Sequence, residues 1–103
     1  MSIINQIKHG NSTSGNTSTA ISINTTYYIW FDYFGSDAAQ SNGSAHLYIN
    51  TSNTKPETPE CTMTGEAAEY IPDTAYIGFG GTGLKLIMDH FLLDNSDLGT
   101  IDD

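Results

Sequence analysis

The chain carries the hydrophobic pattern of strands. From Tyr27 to Phe34 it reads Tyr-Tyr-Ile-Trp-Phe-Asp-Tyr-Phe. A period of two places Tyr27, Ile29, Phe31 and Tyr33 on one side and Tyr28, Trp30, Asp32 and Phe34 on the other. Aromatic and β-branched side chains suit a pleated surface, and Gly35-Ser36-Asp37 closes the run too soon for a helix. Both sides are largely apolar, which predicts an inner strand covered on both faces or one whose second face lines an aromatic groove. Ser44 to Asn50 alternates in the same way. The polar stretch 35–43 between them, with Asn42-Gly43, predicts a hairpin.

Weaker patterns flank this pair. Ile3, Ile4 and Ile7 within 2–8 predict a short first strand, and Cys61-Thr62-Met63-Thr64 predicts a short edge strand before Gly65. Gly10 to Thr19 contains only Gly, Asn, Ser and Thr, has nothing to bury, and is expected to be a solvated loop or arm. Ile21 and Ile23 alternate with Ser22 and Asn24, and Thr51–Glu60, with Pro56 and Pro59, reads as surface. Thr74 to Gly81 predicts a strand ending in a glycine pair. In 84–93, Leu84, Ile87, Met88, Phe91 and Leu92 match a helical stripe. The short Gly-Thr-Gly link to a preceding strand favours a strand there too.

The expected core is Ile21, Ile23, Ile29, Phe31, Leu47, Ile49, Ile77, Phe79, Leu86, Met88 and Leu92. The fold class that follows is all-β, an antiparallel β-sandwich or part of one.

The segments Tyr27-Tyr28-Ile29-Trp30-Phe31-Asp32-Tyr33, Leu47-Tyr48-Ile49, Tyr76-Ile77-Gly78 and Ile87-Met88-Asp89-His90-Phe91, in this order, resemble the C-terminal half of concanavalin A-like lectin/glucanase domains, the laminin-G-like jelly rolls. The resemblance spans about residues 20–95 of a single domain, leaving 1–19 as a polar arm and 96–103 as an acidic tail. It implies a two-sheet antiparallel sandwich whose concave sheet faces a carbohydrate in many relatives. Family domains are about twice as long as this chain, so completion by another copy, another chain or upstream sequence is expected, because half a jelly roll leaves free edges and an open face.

Composition narrows the chemistry. Three Lys+Arg against twelve Asp+Glu give a net charge of −9, which opposes nucleic-acid phosphates and anionic membranes. Residues 1–10 lack the apolar core and cleavage site of a signal peptide, and no stretch of 18 apolar residues occurs. One cysteine, Cys61, excludes an intrachain disulfide and reads as a small buried hydrophobe.

The Glu-x-Asp-x-x-Glu strand motif of hydrolytic relatives is missing, and Glu57, Glu60, Glu66, Glu69, Asp94 and Asp97 lie in loops or tails, so no enzyme is expected. His9, His46 and His90 have no zinc-ligand spacing. Gly78, Gly80, Gly81 and Gly83 fit no phosphate loop, and no Gly-x-Ser-x-Gly elbow occurs. Asp94-Asn95-Ser96-Asp97 with Asp102-Asp103 lacks the spacing of a calcium loop. No cofactor or metal is expected.

Asn11, Asn16, Asn24, Asn42 and Asn50 each begin an Asn-x-Ser/Thr sequence, which suits either a glycan-bearing secreted protein or a Ser/Thr/Asn-rich exterior surface.

Two functions are compatible with this reading. The first is a structural or adhesive exterior protein, such as a virion decoration, a surface filament or an adhesin fragment, that associates with itself or another chain. The second is a carbohydrate-binding module using Tyr28, Trp30, His46 and Tyr48, whose rings would stack on sugar C–H faces. Against the second stands the plain alternative that Trp30 is core.

Overall fold

The computed structural model describes residues 2–9, 12–35, 42–66, 92 and 96–101. Among them are five strands and no helix: β1 (Ser2–His9), β2 (Ser12–Ala20), β3 (Tyr28–Phe34), β4 (Gly43–Asn50) and β5 (Cys61–Glu66). Every ladder is antiparallel and joins strands consecutive in sequence. β1 and β2 form a two-stranded sheet, and β3, β4 and β5 a three-stranded one in that order.

The aromatic strand and its partner form the expected hairpin. Their register runs without interruption from Tyr28 opposite Asn50 to Phe34 opposite Ser44. The β4–β5 ladder is irregular between Gly43 and Ala45, where Gly65 takes a positive φ of 74° that an L side chain rarely adopts. At the other end, the Glu60 amide donates to the Leu47 carbonyl at 2.8 Å and lengthens the pairing by one bond.

Residues 12–20 correct the expectation of a loop or arm over Gly10–Thr19. They form β2, pairing with β1 from Ser2 opposite Ala20 to His9 opposite Ser12, with a register shift at Asn5/Gln6. A Ser/Thr strand has no hydrophobic alternation to reveal it, and its ladder rests on backbone hydrogen bonds that sequence pattern does not register.

The β1–β2 hairpin packs on β5 and β4. Ile7, Ala45, Cys61 and Met63 form the buried cluster between them, with Tyr33 and Leu47 packed against it. The Thr19 hydroxyl donates to Glu60 Oε2 at 3.1 Å and ties β2 to the residue before β5. Because Ala45 pairs with Met63 and Leu47 with Cys61, these four side chains share one face of the three-stranded sheet. Cys61 is buried, as expected of a small hydrophobe.

That face is covered over β5, β4 and Tyr33 of β3, and exposed at Ile29 and Phe31. Ile29 and Phe31, expected in the core, lie on the same side as Ile49 and Leu47 and yet are each 57% exposed. Of the other expected core positions, Ile49 is buried and Leu47 half-buried. Ile21 is half-buried. Ile23 is exposed, in the turn after β2, where its alternation with Asn24 reflects no strand, and Leu92 is exposed as well. Ile77, Phe79, Leu86 and Met88, with the expected strand at 74–81 and, apart from Leu92, the one at 84–94, lie outside the described residues.

In the turn, Asn24 takes a left-handed φ of 57°, which asparagine tolerates better than most residues. The Tyr27 hydroxyl accepts from the Ser22 amide at 2.8 Å across it.

Candidate functional site

The second face of the β3–β4 pair carries the candidate residues. The register sets Tyr28 opposite Asn50, Trp30 opposite Tyr48, Asp32 opposite His46 and Phe34 opposite Ser44, all pointing away from the Ile7 cluster. Tyr28, Trp30, His46 and Tyr48 are therefore brought together on one surface, as the alternation predicts. Directly opposed side chains on such a ladder have Cβ atoms about 5 Å apart, close enough for their rings to meet. Along β4, the Tyr48 and His46 rings lie 6.2 Å apart, and His46 meets Phe34 of β3 edge-on at 6.5 Å. Along β3, Tyr28 and Trp30 are 6.4 Å apart and tilted by 32°.

These rings do not form an open platform. Trp30 is 5% exposed, whereas Tyr28, His46 and Tyr48 are half-buried and Phe34 is largely exposed. Stacking a sugar on an indole requires one ring face to be bare, and Trp30 keeps almost none. Its Nε1 is nevertheless buried without a hydrogen-bond partner. An orphan donor of this kind costs about 1–3 kcal/mol.

Lys55 organises the charged part of the surface. Residues 53–55 return beside the sheet, where the Asn50 side chain shapes the end of β4. Its Nδ2 donates to Thr54 O at 2.8 Å and Ser52 Oγ at 3.1 Å, while its Oδ1 accepts from the Thr51 amide at 2.8 Å. This local network replaces the ladder that β4 gives up there. The Lys55 ammonium then donates to Asp32 Oδ2 on β3 and, at 2.7 Å, to Asp97 Oδ1, while sitting 4.4 Å from the centre of the Tyr48 ring. Its side chain is 12% exposed, Asp32 is 20% exposed and Asp97 77%. Burial alone would lower the Lys55 pKa. The hydrogen bonds to Asp32 and Asp97, with their negative charge, outweigh it and hold the ammonium above its usual range.

Residues 97–101 come to this corner by backbone pairing. Thr54 bridges Thr100 in antiparallel fashion, the Lys55 amide donates to Gly99 O at 3.0 Å, and the Ile101 amide donates to Asn53 O at 2.9 Å. The Asn53 side chain adds a bond to Ile101 O at 2.9 Å. Asp97 thus serves as an ion-pair partner. Of the other residues in the calcium candidate, Ser96 is exposed, and Asp94, Asn95, Asp102 and Asp103 lie outside the described residues. Among the described residues no three His, Cys, Asp or Glu side chains converge as metal ligands, and no helix is long and apolar enough to cross a membrane.

Sequence reasoning placed Asp32 on the right face without assigning it a partner, and missed Lys55. Lys55 sits in a proline-containing polar stretch indistinguishable by pattern from solvated loop. The available signal was scarcity, since a chain with three Lys+Arg among twelve Asp+Glu will draw carboxylates to each cation.

Comparison of the chain with protein-family models, with curated proteins and with solved structures finds no match in any of the three.

Proposed function

We propose that the chain is a non-catalytic structural or adhesive protein of an exterior surface, such as a virion, a surface filament or an adhesin, built on a lectin-like β-sandwich that association completes. The observation that carries this reading is the exposed part of the core face. Ile29 and Phe31 expose 57% of their surface beside a packed cluster, on a strand that among the described residues pairs on one edge only. Exposed apolar surface beside a packed cluster is what a neighbouring subunit would bury. The jelly-roll sandwich belongs to this proposal. A three-stranded antiparallel sheet with a two-stranded sheet against one face suits a portion of such a fold. A Ser/Thr/Asn-rich chain with few charges suits an exterior setting, and the net charge of −9 argues against nucleic-acid or membrane partners.

Size-exclusion chromatography with light scattering tests the reading. The expected result is concentration-dependent association that I29S/F31S abolishes while, in dilute solution, lowering the thermal midpoint less than I7A does. A monomer at several hundred micromolar, with β3 amides as protected as those of β4, overturns it.

Carbohydrate binding on the opposite face is the second reading, and the half-buried Tyr28, His46 and Tyr48 side chains gathered on one surface favour it, because sugar C–H faces stack on aromatic rings. A glycan array followed by titration of Trp30 fluorescence tests it. Binding that Y48A weakens supports the reading, and a blue-shifted emission unchanged by every glycan removes it.

A further inference from the structure

We propose that residues 97–101 are an ionic-strength-sensitive strap, fastened by Lys55, that opens separately from the sheet and governs access to the Tyr48 ring. The inference stands apart from both functional readings, because it concerns how the aromatic surface is covered rather than what it meets.

Among the described residues the strap is held, beside the partial burial of Leu98 and Ile101, by polar attachments of two kinds. Two backbone hydrogen bonds and one side-chain bond join 99–101 to 53–55, around a single antiparallel bridge. One ion pair, Lys55–Asp97, ties its leading end. In contrast to the seven-residue β3–β4 register, this short pairing gains little from cooperative neighbours, so its opening does not require that ladder to open.

The ion pair is asymmetric. Asp32 holds Lys55 from the sheet side with its carboxylate 20% exposed, whereas Asp97 holds it from the solvent side at 77% exposed. Screening shortens the reach of exposed charges to about 3 Å at 1 M salt and leaves buried pairs far less affected. Added salt therefore acts on the Asp97 side first.

The consequence for Tyr48 follows from where Lys55 is fixed. Its amide is bonded to Gly99, its ammonium to Asp97 and Asp32, and that ammonium lies over the Tyr48 ring. Opening the strap removes the amide bond and one of the two carboxylates together. What remains is a single tether to Asp32 on a long, flexible side chain, which uncovers the ring part of the time. Closure thus keeps an aromatic ring and a cationic donor from presenting themselves to a ligand at once.

Amide hydrogen exchange on the full chain, read at the Lys55 and Ile101 amides, tests the strap. Raising NaCl from 50 mM to 1 M, or introducing D97N, is expected to speed exchange at both amides at least fivefold while the β3–β4 amides keep their rates. Nitration by tetranitromethane, mapped by mass spectrometry, is expected to rise severalfold at Tyr48 under the same conditions, with Tyr33 as the internal reference. Unchanged exchange at Lys55 and Ile101, or their loss only together with the β3–β4 ladder, overturns the separate opening. Faster exchange with unchanged Tyr48 nitration overturns its control of the ring. The salt arm uses the wild-type chain, so it does not depend on D97N folding.

Discussion

The Lys55 ammonium lies over the Tyr48 ring, 4.4 Å from its centre, while the same ammonium holds Asp32 on the neighbouring strand. One side chain from a polar loop thus joins β3 to β4 on the face opposite the core. A cation over an aromatic ring is worth about 0.5–2 kcal/mol depending on how dry the site is, and Lys55 is mostly shielded.

Removing that cation leaves Asp32 largely shielded without its partner. K55M is expected to cost about 1–3 kcal/mol, between the small value of an exposed pair and the larger one of a buried pair. Urea unfolding followed by tryptophan fluorescence measures it. A midpoint unchanged from wild type would mean that solvent already satisfies Asp32.

The same lysine sets an alkaline limit. Its folded pKa is raised above the ordinary 10.5, so its contribution is complete below the unfolded pKa and is lost as pH climbs through the folded one. Wild type should lose stability relative to K55M above about pH 10.5, the gap closing as the ammonium deprotonates. Thermal midpoints of both proteins from pH 8 to 11.5 check this, and a constant gap would contradict it.

Ile7 is the described residue through which β1 enters the buried cluster. I7A should cost about 2–4 kcal/mol through lost transfer energy and the cavity left against Met63 and Cys61. By contrast F31A, at a site 57% exposed, should cost well under half as much in the monomer. Denaturant titration of the two variants side at low protein concentration decides the ranking, and equal losses would show that Phe31 is covered in solution.

Asn50 closes β4 with three side-chain hydrogen bonds to residues 51–54. N50A should cost about 1–2 kcal/mol and raise amide exchange at Thr51, whose partner it removes. N50D, which keeps the acceptor and loses the donors, should restore the Thr51 protection alone.

How far the sequence could be read depended on which force shapes each element. β3 and β4 were legible because alternating large side chains record burial, and the alternation also brought Tyr28, Trp30, His46 and Tyr48 to one face. β1 was legible from three isoleucines. β2 was not, because its Ser/Thr residues pair through the backbone and leave no hydrophobic trace. The assignment of Ile29 and Phe31 to the core followed correctly from their face and failed on coverage, since alternation shows which way a side chain points and says nothing of whether a neighbour stands there. Lys55 and Asp97 lie 42 residues apart in sequence, and no local pattern connects them.

The strand order has a kinetic consequence. Among the described strands each ladder joins neighbours in the chain, so its hydrogen bonds close short loops and loop-closure entropy is small at each step. Among the described residues, longer-range links include the seating of Ile7 against Ala45, Cys61 and Met63, the Thr19–Glu60 hydrogen bond and the bridge from Thr54 to Thr100. Hairpins should therefore zip first and the hairpin-on-sheet contact should limit the rate. I7A would then slow refolding by nearly its full equilibrium cost, and changes that weaken the β3–β4 ladder would slow it too, because that ladder is already formed when the hairpin docks.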